Sequence, residues 1–406
     1  MDRIVVVGAS LAGLWACESL RNGGYEGTIT LVGAEAHHPY DRPPLSKALL
    51  KGEYEADRIQ LRKPDELAKL GLDLRLGVAA ASLDAPTRTV MLESGETLAA
   101  NGVIIATGSA PRPLPGQPDY DGVTMLRTLD DSLELRRRLA EHPRLVVIGA
   151  GFIGLEVAAT AAQSGCAVTV LEGAPAPLMR GLGAEMGEVV ARVHSRNGVD
   201  VRCGVQVAGI EGIAGRVTGV RLNSGELVAA GVVVVGIGVS PATGWLDGSG
   251  LGIRDGIVCD DSLRAAPGIF AAGDCARWVN NLFGEAGEEM RVEHWTNAAE
   301  QGSAAAKNLL SELAGEAPTP YAPVPFFWSD QFDSRIQYVG RAHGDDEVRV
   351  ILGDIDDKFV AMYGHAGRLR GVLGVGMPKP LMRMRKLLGE RASWDDAVTY
   401  AAALAQ

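Results

Sequence analysis

Two glycine-spaced segments hold the residues of this chain best suited to chemistry: GAGFIG, Gly149 to Gly154, and GASLAG, Gly8 to Gly13. In GAGFIG, Gly149 permits a tight turn, Gly151 lets the backbone come close to a pyrophosphate, and Gly154 lets a helix pack against a strand. Phe152 and Ile153 between them offer the free N–H groups of a helix start. In GASLAG, Ser10 stands at the middle glycine position, followed by Leu11 and Ala12. A Cβ is accommodated there if φ is negative, and the hydroxyl adds a donor. Each segment is followed by an acidic residue, Glu172 after GAGFIG and Glu35 after GASLAG. Both stand where a carboxylate accepts hydrogen bonds from adenosine ribose hydroxyls. Gly173 and Ala174 follow Glu172 where an arginine would greet a 2′-phosphate, which favours NADH over NADPH; Arg180, further along, is the residue within reach of such a phosphate. Two loops of one design imply two dinucleotides, and FAD and NAD are the pair that exchange a hydride.

The elements around these loops have the pattern the chemistry requires. RIVVV and LVVIG read as buried parallel strands, LWACESLRNGG and LEVAATAAQSG as apolar-faced helices, and TITLVGAE and AVTVLE as the next strands, with Gly165 stopping the later helix. Two complete strand–helix–strand units separate this pattern from a glycine-rich turn that holds nothing. Three further strand ends are placed for a cofactor. GVIIATGSAPR carries Ala106, Thr107 and Gly108, VVVVGIG ends on Gly238, and GIFAAGDCA carries Gly273 and Asp274. The Asp274 carboxylate is set to accept from a ribityl hydroxyl; taken singly, each of these is an ordinary strand and turn.

Composition narrows the class. A length of 406 residues with 47% hydrophobic side chains supports two or three domains with well-buried cores. A net charge of −11 argues against wholesale nucleic-acid binding, which needs a basic footprint. The longest apolar run, VVVVGIG, is far short of the roughly 18 residues of a membrane span. MDRIVVVG enters a strand at once and predicts no secretory signal. Five scattered cysteines, without metal-ligand spacing, fit free thiols in a reducing compartment, so the expected location is cytoplasmic.

The chain resembles the FAD-dependent NADH:ferredoxin reductases of bacterial oxygenase systems. The resemblance is carried by PYDRPPLSK (39–47), GAGFIGLE, AAGDCA, VEHWTNAAEQG (292–302) and FFWSDQFDSRIQYVG (326–340), and it covers essentially the whole chain. It implies an α/β protein of glutathione-reductase-like fold, with two Rossmann-like nucleotide-binding domains and a C-terminal α+β domain. Residues 1–110 and 242–322 would bind FAD, 111–241 NAD, and 323–406 would form the last domain, entered through Pro318, Pro320, Pro323 and Pro325. The resemblance further implies that Arg42 and Arg127 contact cofactor, and that Lys47 lies near the flavin N5, paired with Glu156 beside the nicotinamide. His294, Trp295 and Thr296 would start a helix aimed at the flavin pyrimidine edge, and Trp328 would flank the isoalloxazine. The plain alternatives are a solvated lysine, a helix-surface glutamate and tryptophans packed in the core.

The activity so implied passes electrons from NADH through FAD to a [2Fe-2S] ferredoxin that feeds a monooxygenase or dioxygenase, with no metal held by the chain itself. NADH oxidases and disulfide reductases share the fold but need a redox cysteine near the flavin. No cysteine occurs between Cys17 and Cys166, and Ser46 lies in the segment concerned. A redox-sensing flavoprotein would be expected to add targeting or basic segments to this compact, acidic plan. Residues 368–391 hold seven basic residues and one acidic one, Glu390, and the plain alternative for such a run is a solvated helix face. Its Arg383, Arg385 and Lys386 are the expected docking residues for an acidic ferredoxin, with Arg62, Lys63 and Arg335 as the alternative surface. Monomer and homodimer both remain open.

Overall fold

The computed structural model describes residues 2–283, 288–342 and 345–404. Its backbone divides into two compact units, one formed by 1–41, 59–110 and 240–326, the other by 42–58, 111–239 and 327–406.

The first unit is built on a six-stranded sheet. Its order is Arg264–Ala266, Ile269–Ala271, Gly102–Ile105, Arg3–Val7, Thr28–Gly33 and Asp73–Leu76, parallel except at the Arg264–Ala266 edge. Past Arg3 the central strands carry no polar side chain because both faces are covered; Ile4, Val5, Val6, Val103, Ile104 and Ile105 are fully buried. At ~1.5–3 kcal/mol for each side chain of this kind, burial on both faces drives this layer. The helices Leu11–Asn22 and Trp295–Leu313 pack closely on one another. Gly302 permits the approach, since a Cβ there would fall 2.2 Å from the Ala12 carbonyl oxygen. Two small sheets complete the unit, Ala80–Asp84 with Thr89–Leu92 and Thr97–Ala99, and Ile257–Cys259 with Ala276–Val279 and Glu289–Arg291.

The second unit repeats the plan. A parallel sheet runs Asp200–Arg202, Ala167–Leu171, Arg144–Ile148, Val232–Val235 and Val123–Thr124, and the helix Phe152–Gln163 follows the glycine loop. Gly165, at φ +88°, completes the turn after that helix. A three-stranded antiparallel layer, Val207–Ile213, Arg216–Leu222 and Leu227–Ala229, closes one side through Ile210, Val217, Val220 and Val228. An antiparallel sheet of five strands follows, in the order Phe326–Gln331, Ser334–Gly340, Arg368–Val375, Phe359–His365 and Glu347–Gly353, with the helices Pro378–Gly389 and Trp394–Leu404. Residues 368–391 are therefore not one helix face. Arg368 and Arg370 lie on a strand, and Lys379, Arg383, Arg385 and Lys386 on the helix that Pro378 opens. Gly376, at φ +65°, breaks the strand between them.

The segment 42–58 joins the second unit through specific backbone acceptors. Ser132 Oγ donates to the Leu45 carbonyl at 2.7 Å, and Thr160 Oγ1 to the Ser46 carbonyl at 2.8 Å, both buried.

Among the described residues no helix is long and apolar enough to cross a membrane.

Candidate functional site

In the first unit the loop between Val7 and Leu11 is shaped by close backbone contact. Gly8 has φ +123°, and a Cβ there would lie 2.1 Å from the Ala106 carbonyl oxygen, so Gly8 and Ala106 nest directly. Gly13 is excluded from carrying a side chain by the Gly8 carbonyl oxygen, 1.9 Å from where its Cβ would stand. Ser10 caps the helix Leu11–Asn22 at φ −127°, so the condition for a side chain at that position is met. Leu11 and Ala12 begin the helix, and Glu35 accepts a hydrogen bond from the Tyr40 hydroxyl. Thr107 Oγ1 donates to the Ala242 carbonyl at 2.8 Å, and Gly108 takes φ +68°. Gly273, also in the left-handed region, donates its N–H to Gln301 Oε1 at 2.8 Å, while Ser109 Oγ donates to Asp274 Oδ2 at 2.8 Å.

The helix Trp295–Leu313 starts one residue earlier than its TNAAEQG pattern, with His294 as N-cap. Burial pushes the His294 imidazole down to about 4, against the opposing charge of Asp274, so the ring is neutral at pH 7. The Trp295 indole N–H donates to Asp41 Oδ1 at 2.7 Å, and its ring meets Trp15 edge-on at 6.0 Å. Thr296 Oγ1 donates to the Phe326 carbonyl at 2.7 Å.

In the second unit Gly149 has φ +101° and lies against the Gly236 carbonyl, and Gly154 is packed against Gly149. Gly151 and Gly238 differ from these: a Cβ at either meets no atom within 4 Å. Open space above a helix N-terminus, framed by glycines that must stay glycine, is the shape a pyrophosphate fits. Ile153 is 44% exposed beside it, while Phe152 packs on Phe327 with ring centroids 4.8 Å apart. Glu172 Oε2 accepts from the Ala150 N–H at 2.7 Å and Oε1 from the Ala174 N–H at 2.8 Å. Arg42 Nη1 donates to the Arg127 carbonyl oxygen, which brings these two predicted residues together.

The Lys47–Glu156 pair centres a largely buried polar cluster in this unit. Lys47 Nζ lies 2.6 Å from Glu156 Oε2, one turn along the helix from the glycine loop, and the side chains are 21% and 8% exposed. Ser46 Oγ donates to the same oxygen at 2.5 Å, and Ser329 Oγ to Oε1 at 2.7 Å. Trp328, next to Ser329 on the strand Phe326–Gln331, is half-buried. Ser46 and Ser329 sit inside PYDRPPLSK and FFWSDQ, motifs that flag the segments but not the bond each hydroxyl makes to Glu156. Gln331, which extends the cluster, ends the same FFWSDQ segment, whereas His194 left no signal in the sequence.

All five cysteines are free, and Cys17, Cys166, Cys259 and Cys275 are buried. Burial pushes all five thiols above their ordinary range, so none is poised as a thiolate nucleophile.

Each unit carries a glycine loop at a helix start, of the shape a dinucleotide pyrophosphate fits, and this pairing is that of an oxidoreductase. The chain belongs to the pyridine nucleotide-disulphide oxidoreductase family, whose profile matches residues 2–302; a reductase C-terminal profile matches 326–404. It is 39% identical to rhodocoxin reductase of Rhodococcus erythropolis, covering 95% of this chain and 89% of that protein. It is 35% identical to putidaredoxin reductase of Pseudomonas putida, over 96% and 92%. The fold superposes on the crystal structure of the covalent putidaredoxin reductase–putidaredoxin complex with a TM-score of 0.91, at 33% identity over 100% and 99% of the two chains. The cofactor is FAD, with NAD(H) as the electron donor.

Proposed function

We propose that this protein is an NADH:ferredoxin reductase of an oxygenase system, in which each NADH oxidised to NAD⁺ and H⁺ yields two electrons that leave singly to two [2Fe-2S] ferredoxins. FAD, when bound, takes the two electrons of NADH together and releases them one at a time. The observation that carries the reading is the Lys47–Glu156 pair beside an open glycine loop in a chain without activated thiols.

In the first unit Gly8, Ser10, Leu11, Ala12, Gly13, Glu35, Ala106, Thr107, Gly108, Gly273, Asp274, His294, Trp295 and Thr296 are assigned to FAD. In the second, Gly149, Gly151, Phe152, Ile153, Gly154, Glu172 and Gly238 are assigned to NADH. Lys47, Glu156, Trp295 and Trp328 are assigned to the reacting ends of the cofactors, and Arg42 and Arg127 to cofactor contact. Glu156 stands one helical turn beyond the pyrophosphate loop, and through its ion pair it holds the Lys47 ammonium in one place.

The ferredoxin face is assigned to the helix Pro378–Gly389. Its Leu381, Met384 and Leu388 are buried, and Arg383 and Lys386, three residues apart on one face, are exposed. Arg385 is half-buried and borders that face.

Anaerobic titration of the purified protein with NADH, followed by ferredoxin-dependent reduction of cytochrome c, tests the reading. The expected result is bleaching of a yellow protein by one equivalent of NADH and turnover that requires ferredoxin. A colourless protein, or disulfide reduction at a comparable rate, would overturn it.

A further inference from the structure

Glu156 is the end of a longer chain of buried polar groups. Ser329 Oγ donates to Glu156 Oε1 at 2.7 Å, Gln331 Nε2 donates to Ser329 Oγ at 3.0 Å, and Gln331 Oε1 lies 2.9 Å from His194 Nε2. Ser329, Gln331 and His194 are 0%, 1% and 0% exposed. Ser329 and Gln331 are two apart on one strand and so share a face, and His194 comes from the helix Met179–Arg196.

The direction of this chain follows from donor and acceptor counting. A carboxylate only accepts, so the single Ser329 hydroxyl proton goes to Glu156. Ser329 then has only lone pairs left for Gln331, whose NH₂ must face it. The Gln331 carbonyl is thereby turned to His194, which must present an N–H at Nε2. His194 Nδ1 is buried without a hydrogen-bond partner, which suits a bare lone pair on a neutral ring packed edge-on to Phe332 at 5.1 Å. Burial pushes the imidazole below its ordinary range, in the same sense.

We infer that Ser329, Gln331 and His194 are positioning residues for the Lys47–Glu156 pair, a one-way donor chain that fixes the rotation of the Glu156 carboxylate. A terminal carboxylate torsion is soft, so without a partner on Oε1 the carboxylate plane swings, and the oxygen that holds the Lys47 ammonium swings with it. Ser46 and Lys47 both hold Oε2, and among the described residues Ser329 alone holds Oε1. The inference rests on the proposed role of Lys47 and Glu156 at the reacting end of the nicotinamide.

The test combines a structural and a kinetic readout on the oxidised, purified protein. Imidazole ¹⁵N NMR at pH 7 should show His194 as the Nε2–H tautomer, and Gln331→Leu should shift that signal and speed exchange of its proton. In stopped flow, Ser329→Ala should reduce flavin roughly tenfold more slowly at saturating NADH. NADH binding should hold, the protein should remain folded at the assay temperature by circular dichroism, and Ser329→Thr should restore the rate. An Nδ1–H tautomer would reverse the chain and overturn the inference. So would an unchanged rate in Ser329→Ala when Glu156→Gln, measured in parallel, is slow. If Glu156→Gln is also at the wild-type rate, the reading of the ion pair falls first and positioning falls with it.

Discussion

Glu172 Oε2 accepts a hydrogen bond from the backbone N–H of Ala150 at 2.7 Å, so the carboxylate ending one strand ties down the glycine loop that follows its neighbour. The same side chain holds Ala174 N–H through its other oxygen. A carboxylate has about four lone-pair sites, which leaves two for ribose hydroxyls. Glu172 thus shapes the loop in addition to its proposed role at the ribose. Glu172→Ala should raise the KM for NADH about tenfold, some 1.4 kcal/mol, and narrow the preference over NADPH by removing a charge that repels a 2′-phosphate. Steady-state kinetics with both nucleotides check this; an unchanged NADH to NADPH ratio would remove the ribose role.

Lys47→Ala and Glu156→Gln should each slow flavin reduction by NADH more than they weaken NADH binding. The pair is largely buried, and deleting one partner leaves a charge or a donor without its counterpart. A melting temperature lowered by the equivalent of about 1–3 kcal/mol is expected as well. Stopped-flow reduction and binding titrations separate the two effects, and equal losses in both would make the pair merely structural.

Replacing Arg383 and Lys386 by Glu should raise the apparent KM for ferredoxin severalfold, most strongly at low ionic strength, and leave NADH-to-ferricyanide turnover at the wild-type rate. Lys386 lies 3.5 Å from Glu390, an exposed i,i+4 pair whose loss costs little stability. Wild-type ferredoxin kinetics with the same salt dependence would move the docking face elsewhere.

His294 links stability to pH. Its imidazole is neutral in the folded protein down to about pH 4, whereas in the unfolded chain it takes up a proton near 6.5. Between these values the unfolded state binds more protons, so this contribution to stability is complete above about pH 6.5 and is lost as the pH falls toward 4. The melting temperature of His294→Gln should therefore gain on the wild type as the pH is lowered through this window. A difference that does not vary with pH would show that His294 titrates alike in both states.

The sheets and glycine loops were legible because they rest on local chemistry: unbroken Val and Ile runs, glycines forced by backbone contact, and Gly165 after its helix. The basic run 368–391 divides between a strand and a helix, and the glycine and proline of Gly376–Pro378 mark that division in the sequence. Trp295 was placed by its motif, but nothing near it in sequence announces Asp41, 254 residues away, as the acceptor of its indole N–H. Ser329 and Glu156 are 173 residues apart, and His194 and Gln331 137. Hydrogen bonds over such separations depend on how whole elements pack, which no local pattern encodes.

The chain passes from one unit to the other five times, at 41/42, 58/59, 110/111, 239/240 and 326/327. During synthesis this order has a cost in time. The strand Gly102–Ile105 emerges from the ribosome early, but Ile269–Ala271, which pairs with it as Ile269↔Val103, Phe270↔Ile104 and Ala271↔Ile105, emerges only after most of the second unit. In the interval the nascent sheet carries an open, wholly apolar edge, the kind that recruits foreign strands. Slow translation or truncation between these two strands should direct the polypeptide to chaperones or inclusion bodies, and yield in a heterologous host should respond to translation speed over residues 111–271 more than to any single core substitution.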